Sequence, residues 1–117
     1  MNATPLVIIQ HQVRRALELR FDDGAVFSLP YEYLRVYSPS AEVRGHGSGQ
    51  EILQVGKRGI KIEKIEPVGQ YAIKICFDDG HDTGIYSWDV LYQLGQEEES
   101  NWRRYLQRLK QAGASRD

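Results

Sequence analysis

Apolar and polar positions alternate cleanly in two stretches of the chain. Leu17, Leu19 and Phe21 alternate with Glu18 and Arg20, and further on Tyr71, Ile73, Ile75 and Phe77 alternate with Ala72, Lys74 and Cys76. A period of two sets one side of an extended segment against a core, so each run predicts a strand. Both runs end in the same tetrapeptide, Phe21-Asp22-Asp23-Gly24 and Phe77-Asp78-Asp79-Gly80. Aspartate then glycine predicts a tight hairpin turn, because glycine adopts the positive φ of the turn freely and aspartate tolerates it. Returning strands are expected from Ala25 to Leu29 and from Asp82 to Tyr86, each followed by a short helix. Pro30 suits the first position of one helix, PYEYLRV, while Ser87 can cap the other, WDVLYQL, which Gly95 is expected to close.

Between these units lies LRVYSPSAEVRGHGSGQ, residues 34–50, where Gly45, Gly47 and Gly49 surround Arg44 and His46. Such glycine-rich polar stretches read as loops, and successive backbone N–H groups in them can also face an anion. A strand is expected from Glu51 to Val55, a turn over Gly56 to Gly59, and a further strand from Ile60 to near Pro67. The pattern Ile60, Ile62, Ile65 skips phase by one residue and predicts a bulge. At the end, Trp102, Tyr105, Leu106 and Leu109 form one helical stripe, with Glu97 to Glu99 and Arg108 and Lys110 placed to suit the helix dipole. The tail AGASRD is expected to fray. The fold class is therefore α+β: a mainly antiparallel sheet made of two strand-turn-strand-short-helix units, plus a C-terminal amphipathic helix. Residues 1–12 are an N-terminal segment, 13–95 the domain, and 96–117 the final helix and tail.

Composition narrows the function classes. The 117 residues fit one domain, and 15 Lys+Arg against 16 Asp+Glu give no positive excess to draw the chain to nucleic acid or acidic lipid. The lone cysteine, Cys76, cannot form an intramolecular disulfide, so the expected compartment is the cytoplasm. No apolar run approaches the ~20 residues of a membrane span, and Leu6 to Ile9 is too short for a secretory signal.

Residue chemistry offers no catalytic constellation. Asp78, Asp79, His81 and Asp82 gather at the second turn, but hairpin neighbours point to opposite faces, so turn geometry is the expected role of these aspartates. Cys76 reads as a small buried hydrophobe, and Trp88 and Trp102 read as core residues. His11, His46 and His81 fall in three separate segments.

The stretches SPSAEVRGHG and FDDGHDTGIYSWDVLYQLG, within residues 13–95, resemble the N-terminal domain of gamma-butyrobetaine hydroxylase and trimethyllysine hydroxylase, and most closely its stand-alone bacterial relatives. In the hydroxylases three cysteines and a histidine of this domain hold zinc. The resemblance lays those cysteines on Ser38, Ser40 and Val43 and the histidine on His81, so one ligand of four survives and no metal is implied. Hydroxylase chemistry belongs to a separate oxygenase domain, so the resemblance implies a non-enzyme without cofactors.

A cytoplasmic interaction or accessory module is the expected function, with a surface comprising the 38–50 loop and the second hairpin and carrying Arg35, Arg44, His46, His81 and Trp88. The expected partner is a protein; an iron–sulfur ATPase and an oxygenase are both consistent with where such domains occur. Two alternatives remain open. One is metal or iron–sulfur cluster handling through Cys76, His46 and His81, including across a homodimer. The other is a separate subunit of a 2-oxoglutarate-dependent hydroxylase.

Overall fold

In the computed structural model, which describes residues 3–45 and 51–117, the chain forms two three-stranded antiparallel meanders, each leading into a helix. Strands β1 (Pro5–His11), β2 (Ala16–Phe21) and β3 (Val26–Pro30) pair in that order and run into α1 (Tyr31–Val36). After the one-turn helix α2 (Ala41–Arg44), strands β4 (Ile62–Val68), β5 (Ala72–Phe77) and β6 (Gly84–Ser87) pair in order and run into α3 (Trp88–Gln96). Helix α4 (Glu98–Ala112) follows at once. The α+β class and both Asp-Gly hairpins stand as the sequence predicts. The repeating unit is larger than a hairpin, however, because β1 and β4 add a strand to each.

The duplication extends to individual backbone groups. Asp22 N–H donates to Thr4 O and Asp78 N–H donates to Lys61 O, while Ala25 and His81 each donate a backbone N–H to the carboxylate of the second turn aspartate, Asp23 or Asp79. Both sheets carry a register shift at the same place: after Pro5, which faces Phe21, and after Ile62, which faces Phe77. The second of these is the bulge that the phase skip predicts.

Helix and hairpin are locked across the two halves. Arg35, the fifth residue of α1, donates from Nε to Asp79 of the second turn at 2.9 Å. Tyr92, the fifth residue of α3, donates its hydroxyl to Asp23 of the first turn at 2.6 Å. Leu17, Leu19, Leu29, Leu34, Ile75 and Leu91, drawn from both halves, are fully buried in one shared core. Each such side chain contributes roughly 1.5–3 kcal/mol of apolar burial. Buried phenols cross between the halves: Tyr33 of α1 donates to Leu94 O of α3, and Tyr86 of β6 donates to Leu34 O of α1. Burial pushes the Tyr33 hydroxyl up to about 12, so it stays a donor.

The two helix-to-sheet junctions are packed in opposite ways. Phe27 pairs with Leu19 on β2, and Gly84 pairs with Ile75 on β5, so the two occupy equivalent places. Phe27 fills its junction against Gly95, where a Cβ would collide with the phenyl ring. Gly84 leaves room at the other, and a Cβ there would lie 2.5 Å from Ser38 Oγ. Gly95 therefore sits inside α3 instead of closing it. Alanine normally favours a helix interior over glycine by about 1 kcal/mol. Gly95→Ala is nonetheless expected to lower stability by about 2 kcal/mol through overpacking, measured by urea denaturation.

Three further expectations are corrected. Residues 51–55 form no strand, because their backbone is bonded to other elements: Ile52 N–H donates to Val43 O, Tyr105 OH donates to Gln54 O, and an Arg108 N–H donates to Glu51 O. In the α4 stripe Tyr105 and Leu109 are buried, but Leu106 is exposed. The tail is docked instead of frayed. Gly56 N–H donates to Ser115 O and Arg58 N–H to Arg116 O, while the Arg116 guanidinium forks onto the buried Glu32 carboxylate at 2.8 and 2.6 Å. The same guanidinium lies 5.1 Å from the Trp102 ring centroid, within cation–π range.

Candidate functional site

The buried junction beside Gly84 holds a chain of polar groups. Ser38, just past α1, and His81, just past the second turn, share a hydrogen bond of 2.8 Å between Oγ and Nε2, and both residues are buried. Ser38 Oγ also accepts from Ser40 N–H, which leaves its own proton for an unprotonated Nε2. Burial, with the Arg35 charge adding to it, pushes the His81 imidazole below its ordinary range and keeps it neutral. Asp82 beside it is exposed, as hairpin alternation requires. Ser40 caps α2 by accepting from Glu42 N–H, and its hydroxyl shares a 2.7 Å hydrogen bond with Thr83. Val43 is buried, and its backbone N–H donates to Ser40 O.

Asp79 connects the junction to a charge cluster that sequence patterning did not indicate. Its Oδ1 accepts from His81 N–H, and its Oδ2 accepts from Arg35 at 2.9 Å and from Lys57 at 2.6 Å. Arg35 also donates to the Gln54 side chain. Burial acts to raise the Asp79 carboxyl, but Lys57, the His81 N–H and Arg35 outweigh it and hold the group at about 2.

A cleft of about 270 Å³ counts Ser38 among its lining residues. Its apolar walls include Val36, Val43, Ile52, Val90 and Leu94, with Arg44 and Arg108 among its polar groups. Arg44 is exposed at the end of α2 and makes no ion pair among the described residues. Of the residues expected at a binding surface, Arg44 meets this cleft, whereas Arg35 and His81 are buried and joined through Asp79. Trp88 is half-buried away from the cleft walls, with its indole N–H donating to Gln70 O. His46 lies outside the described residues. Cys76 is buried on the opposite side of β5 from Phe77, the residue whose ring lies near His81, so the two do not converge.

A duplicated α+β domain with this junction belongs to the class that the resemblance implies. The chain is a member of the family described as "Gamma-butyrobetaine hydroxylase-like, N-terminal", whose model matches residues 8–92. Two solved NMR structures are similar to it. One is 49% identical, with a TM-score of 0.85 over 98% of this chain and 86% of that one. The other is 46% identical, with a TM-score of 0.84 over 98% and 90% respectively. A crystal structure of an Acidithiobacillus ferrooxidans protein of unknown function, from the DUF971 family, is 35% identical with a TM-score of 0.66 over 79% of this chain and 92% of that one. No curated protein matches.

The structure brings positions 38, 40, 43 and 81 together, the four on which the resemblance lays zinc ligands. Their chemistry does not fit that ion. One imidazole is present, two neutral hydroxyls are engaged in hydrogen bonds, and valine offers no lone pair. A hydrogen-bonded serine–histidine tie spans the junction between α1 and the second hairpin.

Proposed function

We propose that the protein is a non-catalytic cytoplasmic accessory module that captures a partner protein in the cleft between α2, residues 51–52, α3 and α4. The observation that carries this reading is the cleft itself, in which Val36, Val43, Ile52, Val90 and Leu94 share the lining with Arg44, Arg108, Glu51 and Glu97, with Ile52 and Arg44 among the exposed ones. Such a recess suits one large apolar side chain of a partner flanked by polar groups. An ATPase carrying an iron–sulfur cluster, or an oxygenase, is the kind of partner the family context supports. The buried Ser38–His81 and Arg35–Asp79 contacts hold the wall residues in place behind the cleft.

Affinity isolation of the tagged protein from its native host tests the reading. Ile52→Asp and Arg44→Ala should each remove a partner that the wild type retains. Both alter surface groups, so the melting temperature should move by no more than about 2 °C. Retention of the same partner by both variants would exclude the cleft as the capture site.

A further inference from the structure

The duplicated fold supplies an internal control for its own sheet edges. β1 and β4 are equivalent edge strands, each starting at a matched bulge. An edge strand presents unpaired backbone N–H and C=O groups, and charges or proline on it discourage unwanted pairing. β4 has both: Glu63, Lys64, Glu66 and Pro67. At the matching places β1 has Leu6, Val7, Ile9 and Gln10. Leu6 is 70% exposed, Val7 39% and Ile8 36%, so this apolar edge faces solvent. The same fold thus protects one edge and leaves the other bare.

We propose that β1 is a dimerisation edge, which pairs antiparallel with β1 of a second copy of this chain and joins two first sheets into one of six strands. Charge placement favours a second copy in that orientation. The N-terminal end of β1 adjoins the acidic turn, where Thr4 N–H donates to Asp22 Oδ1. Its C-terminal end leads into Arg14 and Arg15, both exposed. Antiparallel pairing lays the arginine end of each copy beside the aspartate end of the other, whereas parallel pairing would put like charges together. Between these ends residues 6–10 carry no charge to repel their own kind.

Sedimentation equilibrium over a concentration series should show the mass rise from 13.4 kDa to twice that value. Leu6→Glu with Val7→Lys, which copies the residues at the matching places of β4, should weaken association at least about tenfold while circular dichroism remains unchanged. Arg14→Glu with Arg15→Glu, and separately Asp22→Lys, should each weaken self-association, and mixing the two variants should restore a dimer. Amide exchange of Val7 to Ile9 in the unaltered protein should slow as concentration rises, a readout independent of how any variant folds. A monomer at every concentration would overturn the proposal. So would a dimer indifferent to the β1 and charge variants, since it would form elsewhere.

Discussion

Asp79→Ala is expected to cost about 3–5 kcal/mol, because among the described residues it leaves the buried Arg35 guanidinium with the Gln54 side chain alone and removes the partner of Lys57. It also removes the acceptor for His81 N–H, so the second turn and the Ser38–His81 tie should loosen together. Asp79→Asn keeps a turn acceptor but not the charge, and should fall between wild type and alanine. The equivalent Asp23→Ala should cost clearly less, since at that exposed turn it loses a neutral phenol and one backbone N–H and strands no buried charge. Urea denaturation of the three variants measures these differences. Acid adds a second check. The Asp79 carboxyl lies at about 2 in the fold, below its unfolded value of 3.8, so it stabilises the fold above about pH 4 and loses that effect as pH falls towards 2. Allowing for partial exposure, that loss is about 1–2 kcal/mol, and it should vanish in Asp79→Asn.

Arg116→Ala is the second large effect, expected at about 2–4 kcal/mol although the residue is next to last. The Glu32 side chain is only 8% exposed and relies on the Arg116 fork, so alanine leaves a buried carboxylate without its cation. The Trp102 contact goes as well, at roughly 0.5–1 kcal/mol. Arg116→Lys should recover only part of the loss, because an ammonium cannot make the two-pronged contact. Glu32→Gln combined with Arg116→Ala should be milder than the single changes imply, and a double-mutant thermal cycle measures that coupling.

How legible these features were depended on how local their causes are. The Asp-Gly hairpins, the Ser87 cap and the bulge near Ile62 each follow from a few neighbouring residues, and each appears where the pattern places it. β1 escaped because its turn into β2 contains neither glycine nor proline: Arg15 takes the positive φ, at 53°, that such a turn normally assigns to glycine. Residues 51–55 read as a strand because they are rich in apolar residues, but their partners are the Val43 carbonyl and the side chains of Tyr105 and Arg108. Position 95 could not be read locally either, since Phe27 fixes it from the other half. The site was legible only in part. The convergence of positions 38, 40, 43 and 81 came from the family resemblance, whereas the burial of Arg35 and the convergence of Arg35 and Lys57 on Asp79 required tertiary contacts.

The exchanged grips of Arg35 on Asp79 and Tyr92 on Asp23 also govern how the molecule comes apart. Together with the core that both halves share, these contacts couple the meanders, so neither half is expected to behave as an autonomous foldon. Loss of structure should be all-or-none across both sheets, and amides in β2 and β5 should report a single opening energy.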